Sequence, residues 1–351
     1  MAEPAPALQK LSKARPPHWK WAGADCVHAL QWAPHGHTLA AATLAGEVAV
    51  LDGQTGKPRW IREDAHPAGA LWLAFHPAEP LLATGGQDGA VKLWHADTGA
   101  PIVTLFQERR RWSEHGAWAA DGTLAFTSGK EVLFYHANGT EVGRVTPFEK
   151  ATPAALAWHP REPELVVGGF GALSVWKAGE AQPVAAKAWG TSFLAAAWRP
   201  ESWEAEWVAA GTGDASVEVW KVGTDESLRM AGYAGKVREL AWHKGGQSLS
   251  TGGGPNVVCW DFRGAGPEGS APQEWMAHSE AVAALAAHPT DESRVASSGR
   301  DQLIFIWQIG KDDPVGMRAV PESIPHRLAW KPDGAALAAG CEGGEVLLFK
   351  L

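Results

Sequence analysis

Short apolar runs separated by Gly, Pro, Asp and Asn recur along the whole chain. Residues 65–106 show the pattern most clearly, with strands predicted at about 70–75, 80–85, 90–95 and 101–106. Each is rich in Leu, Val, Phe, Trp or Thr and bounded by turn residues, as antiparallel strands are. The connections Pro77-Ala78-Glu79-Pro80, Gln87-Asp88-Gly89 and Asp97-Thr98-Gly99-Ala100-Pro101 supply the fixed or positive φ that tight hairpins need. The unit is a four-stranded antiparallel meander.

The unit repeats. An aromatic residue, commonly with Pro two positions later, closes the first strand of each copy. The anchors are Trp32, Phe75, Trp118, Trp158, Trp198, Trp242, Ala287 (in the aromatic slot) and Trp330, at spacings of 43, 43, 40, 40, 44, 45 and 43 residues. Third strands align on Leu51, Trp94, Tyr135, Trp176, Trp220, Trp260, Trp307 and Phe349. Fourth strands are expected to end on Trp60, Phe106, Phe148, Trp189, Tyr233, Trp275 and Val320, and the eighth copy stops at Leu351 without one. Trp19 and Trp21 precede Trp32 at the spacing expected of that missing strand, so the N-terminal segment should complete the last copy and close a ring. The expectation is all-β: eight four-stranded blades in one domain over 15–351, after a disordered tail at 1–14. A seven-bladed ring with an irregular segment at 112–148 is the alternative.

Composition narrows the class. A net charge of −8 argues against nucleic acid or an anionic membrane as partner. Three scattered cysteines suit a reducing, cytoplasmic compartment better than a disulfide framework. The first residues lack the apolar core of a secretory signal, and no window is apolar enough to span a membrane. Twenty Trp and forty Gly fit a periodic, turn-rich fold.

A period near 43 residues and third strands reading VKLWH, VEVWK, VVCWD and IFIWQ resemble the WD40 repeat family over about residues 16–351. The resemblance implies a β-propeller that binds partners on its top face, where the b–c turns and the loops between copies lie. It also implies that His66, Thr84, Asp88 and Trp94, and again His278, Ser297, Asp301 and Trp307, form hydrogen-bonded structural tetrads. A hydroxyl, a His and an Asp together invite a hydrolase reading. The set recurs twice, however, and its fourth member is an indole that only donates, so a fastening role is expected. Copy five has Ala210 at the hydroxyl position and copy six has Gly254 at the Asp position. GGGPN at 252–256 and GTGDAS at 211–216 lack the Lys and helix of a phosphate loop, and no GxSxG elbow occurs. No catalytic residue and no cofactor are expected.

The expected function is a non-catalytic protein-interaction scaffold, a monomer within a larger complex. Its top-face contact residues are expected to be Trp72, Arg109, Arg110, Arg111, Trp112, Glu114, Lys236, Arg238, Arg300 and Arg327. A basic cluster on an acidic chain points to an acidic or phosphorylated partner segment, because Arg forks match carboxylate and phosphate. The loop at 199–208, with Trp203 and Trp207, is a second candidate surface. The competing reading is zinc binding by Cys26, His28, His326 and Cys341, which ring closure would bring together as a Cys₂His₂ set.

Overall fold

The computed structural model describes residues 14–200, 206–264, 266–313 and 317–351, and every regular element among them is a β-strand. The remainder of the expected tail and Trp203 lie outside the described residues. The first strands of the copies are Val27–Trp32, Ala70–Phe75, Gly116–Trp118, Ala155–Trp158, the second half of Ala185–Trp198, Glu239–Trp242, Val282–Ala287 and Pro325–Trp330. Each neighbours the next, and the last neighbours the first, so these inner strands form a ring.

Closure works as expected. Trp19–Ala22 pairs antiparallel with 345–348 of the last strand, and the Trp19 indole donates to the Gly53 carbonyl of the first repeat at 3.2 Å. The N-terminal strand thus holds both ends of the repeat array.

Among the described residues the hydrogen-bonded sheets number seven, not the eight separate ones expected. Six have four strands, and one six-stranded sheet carries both the fourth and fifth copies. The expected weak point, the third copy, is an ordinary four-stranded sheet built on Gly116–Trp118, Thr123–Ser128, Glu131–His136 and Glu141–Val145. The fusion has a local cause. Residues 185–198 read AAKAWGTSFLAAAW, with no Pro, Asn or Asp to stop a strand, so the outer strand of copy four runs on as the inner strand of copy five. Phe170 pairs with Ser192 across the junction, beside Gly171, whose φ of +90° turns the neighbouring strand.

The core is distributed over the interfaces between successive repeats, each a cluster of Val, Leu, Ala and aromatic side chains. Indole N–H groups stitch these interfaces near the ring's inner wall. Trp118, Trp158, Trp198, Trp242 and Trp330 donate to the carbonyls of Ala74, Ala117, Ala157, Ala197 and Ala286 in the preceding inner strand, at 2.9–3.2 Å. Trp32 does the same to Ala329 across the closure at 3.1 Å. In copy two, which has Phe75 instead, Gln31 accepts from the Phe75 amide at 2.8 Å. The anchor aromatics are therefore inter-repeat fasteners.

The His-Pro pairs behind several anchors also have a mechanical explanation. Nδ1 of His76, His159 and His288 accepts the backbone N–H groups two and three residues ahead, capping the bottom turn. Each ring then packs edge-on against the anchor Trp of the next repeat, with centroids 4.5–4.8 Å apart.

Candidate functional site at the channel mouth

Antiparallel alternation puts the b–c turns and the inter-repeat loops at the same end of every sheet, the top face. Four large apolar side chains are exposed there: Trp112 (50%), Phe170 (62%), Met276 (69%) and Val320 (49%). Three sit on inter-repeat loops and Phe170 sits at the b–c corner of copy four.

The same face carries a cavity of about 500 Å³ where the inner strands of copies one, six, seven and eight begin. Backbone bulges shape this rim. The pairing register slips at His28, Leu71, Leu194, Ala283 and His326, each one residue inside its inner strand. Such a slip re-aims a side chain away from the sheet ladder. His28 and His326 consequently line the cavity, together with Lys236, Arg238, Glu239, Arg300, Arg327 and Glu342.

Arg327 is half-buried at this rim. Its Nε donates to the His28 carbonyl at 2.7 Å and one Nη to the His326 carbonyl at 2.9 Å. Burial, reinforced by the Arg327 charge, pushes His28 down to about 4. His115, across the ring, is likewise held at about 4. Both imidazoles are neutral at physiological pH. Burial also pushes the Glu239 carboxyl up to about 7, against the opposing pull of Arg327 and Arg238. The mouth is therefore net cationic, and its Glu239 carboxyl is only partly ionised at neutral pH.

That shift predicts a pH effect. A carboxyl whose folded-state value lies above its ordinary value contributes stability that is complete below the ordinary value and lost as pH rises through about 7. Thermal melts from pH 4.5 to 8.5 should show Glu239→Gln matching the wild type at the acid end and exceeding it above pH 7. Parallel curves would contradict the assignment.

The expected contact residues divide. Arg109, Arg110, Arg111 and Trp112 are exposed on the loop into copy three, away from the cavity. Arg111 is ion-paired with Glu108 and Glu131, so it is not a free cation. Glu114 is half-buried at the head of that repeat, which raises its carboxyl. Lys236, Arg238, Arg300 and Arg327 form a separate group at the mouth. Trp72 is not a surface anchor: it is 5% exposed, and its indole donates to the Ser113 hydroxyl at 2.9 Å. The bulge at Leu71 shifts the strand's facing and turns Trp72 into the repeat interface. Trp207 begins the strand Trp207–Thr212 under the Lys221 ammonium.

The four proposed zinc ligands do not converge. Cys26 Sγ lies 3.6 Å from His326 Nε2, and His28 lines the same cavity. Cys341 instead sits in the apolar cluster between copies seven and eight, where burial pushes its thiol up to about 12. Among the described residues no group of three or more His, Cys, Asp or Glu is arranged to hold a metal ion.

The two complete tetrads are assembled. His66 contacts Asp88 at 2.9 Å and Thr84 at 2.8 Å, and the Trp94 indole donates to Thr84 at 2.8 Å. His278 contacts Asp301 at 3.0 Å and Ser297 at 2.9 Å, and Trp307 donates to Ser297 at 2.8 Å. In both, the hydroxyl lies within hydrogen-bond reach of the His and of the indole, and is buried.

A family model described as the WD domain, G-beta repeat matches residues 60–95 and 269–308, the stretches that hold all eight residues of these two networks. The chain carries repeats of the WD40 family. Telomerase protein component 1 of Rattus norvegicus is 24% identical over 292 residues, covering 81% of this chain and 9% of that protein. The B-type cell cycle switch protein ccs52A of Medicago truncatula is 26% identical over 65% of this chain and 48% of its own length. Cell division cycle 20.1, cofactor of APC complex, of Arabidopsis thaliana is 20% identical over 85% of this chain and 57% of its own length. This WD40 chain thus spans under two thirds of each of these relatives. The computationally designed Ika8 protein shares the fold, with a TM-score of 0.77, 19% identity, and coverage of 94% of this chain and 98% of its own.

Sequence reasoning missed Tyr233 and Glu239. Tyr233 was expected to end an outer strand, but that strand is Ser227–Ala231 and Tyr233 lies in the following loop. Its hydroxyl contacts Thr251 and accepts from the Trp260 indole, both at 2.7 Å. The outer-strand ends at Phe148 and Val320 likewise lie just past Glu141–Val145 and Arg318–Ala319.

Proposed function

We propose that this chain is a non-catalytic scaffold that holds an acidic or phosphorylated segment of a partner protein against its channel mouth. The observation that carries the reading is the cation set Lys236, Arg238, Arg300 and Arg327 around one cavity, opposed among the described lining residues by Glu342 and the partly protonated Glu239. Arg forks and Lys ammoniums facing a common space favour carboxylate or phosphate oxygens. Exposed Met276 and Val320, on the loops into copies seven and eight, supply apolar contacts beside that charged centre. The relatives' names, which place one protein in telomerase and another as a cofactor of the APC complex, favour a role inside assemblies.

The test is a titration with fluorescein-labelled hexaglutamate and with a phosphoserine peptide of equal length. Wild type should bind at least one of them with affinity that falls as salt rises. Lys236→Glu/Arg238→Glu/Arg300→Glu should bind roughly tenfold or more weakly, since each lost charged contact is worth about 1 kcal/mol or more. Equal affinity of a folded variant would overturn the reading.

A further inference from the structure

Repeat six departs from the tetrad in a way that leaves space. Here the phenol of Tyr233 stands where His66 and His278 stand elsewhere. The Trp260 indole donates to the Tyr233 oxygen at 2.7 Å, the phenol meets Thr251 Oγ1 at 2.7 Å, and that hydroxyl donates to the Val258 carbonyl at 3.1 Å. The relay ends on backbone and needs no carboxylate. At the carboxylate position is Gly254, and the Tyr233 ring lies so close to Gly253 that a Cβ there would fall 2.8 Å from it. The other seven residues at the Trp260 position, from Leu51 to Phe349, are buried. Trp260 alone is partly exposed, and it opens onto a cavity of about 280 Å³.

Tyr233, Trp260, Pro255 and Pro272 form the apolar walls of this cavity, and Asn256 and Glu274 are its polar groups. Among the described residues, Glu274 is the only carboxylate that lines the space, and no Lys, Arg or His lines it. Burial holds the Tyr233 phenol up at about 12, so it stays neutral. The Asn256 amide donates to Glu274 Oε1 at 2.6 Å, fixing the carboxylate at the edge of the space. An anionic guest would meet Glu274 with like charge. A purely apolar guest would desolvate that carboxylate without compensation. A guanidinium satisfies both requirements, because it stacks on an indole face and forks onto a carboxylate.

We propose that the repeat-six pocket receives an arginine side chain of a partner. Gly253 and Gly254 line both this pocket and the channel mouth, so the two cavities share a wall that carries no side chain. An extended segment crossing that ridge would set an arginine in the pocket and an acidic residue in the mouth. Only this pairing rests on the function proposed above; the arginine site stands on its own residues.

The test follows indole N–H signals of the full chain by NMR, with the Trp260 signal assigned by its loss in Trp260→Phe. N-acetyl-arginine methylamide is titrated against its neutral isostere, N-acetyl-citrulline methylamide. The arginine amide should shift the Trp260 signal saturably, with at least tenfold weaker response to citrulline and in Glu274→Gln. Glu274 is exposed, and the remaining indole signals report whether the variant stays folded. The Lys236→Glu/Arg238→Glu/Arg300→Glu variant should keep the arginine response even where it loses the acidic peptide, which separates the two claims. No Trp260 shift with the arginine amide, or an equal response to citrulline or in Glu274→Gln, overturns the proposal.

Discussion

A chain shortened to begin at Gly23 is expected to self-associate and to melt well below the full chain. The deleted strand supplies the outer hydrogen-bond row of the last sheet through Trp19–Ala22. It also buries Trp19 among Trp32, Leu39, Leu51 and Leu348, residues of the first and last repeats. Losing that one indole costs about 3–5 kcal/mol by the large-to-small rule. The backbone of 345–348 would then be an open edge, which is a template for pairing with another chain. Light scattering coupled to size exclusion, with a thermal melt, reads both effects. A synthetic peptide of residues 14–23 added in trans should restore part of the melting temperature, because it replaces the missing strand. A shortened chain with unchanged mass and melting would contradict ring closure as a source of stability.

The second large effect concerns the fasteners. Trp307→Ala should destabilise by about 3–5 kcal/mol. Trp307 is fully buried, stacks on Trp275 with ring centroids 5.6 Å apart, and donates to Ser297. Its loss opens a cavity and leaves the Ser297–His278–Asp301 chain without its donor. Trp260→Ala, at the same position of repeat six, should cost clearly less, since that indole is already partly exposed. Denaturant midpoints of the two variants against wild type decide it. Equal losses would show that the repeat-six network is as tightly packed as the complete ones.

Much of the fold was legible because the residues that mark the repeats also hold them together. The anchor Trp recurs near every 43 residues and bonds to the preceding inner strand, so periodicity and mechanics coincide. Trp19 and Trp21 gave away the closing strand for the same reason. The fused fourth and fifth copies were not legible, because the fusion depends on a missing turn signal at 185–198 and on the Phe170–Ser192 pairing. The site was read less well. The face on which a side chain lands depends on its parity along the strand, and bulges at Leu71 and His326 reset that parity without a sequence signal. Trp72 was therefore placed on the surface when it lies in an interface. Cys341 was grouped with Cys26 by ring position, although its strand turns it into the apolar cluster. The arginines at 109–111 and those at the mouth appeared as one cluster because sequence register gives the height of a residue on the face but not its distance from the axis.

The central claim is that partners are held at the mouth rather than on the Arg109–Arg111 rim. Hydrogen-exchange mass spectrometry of the full chain, with and without a saturating acidic peptide, tests it most directly. Binding at the mouth predicts new protection at 236–239, 253–256, 300–302 and 324–327, with 107–114 unchanged. Protection confined to 107–114 or to the outer strands would contradict it.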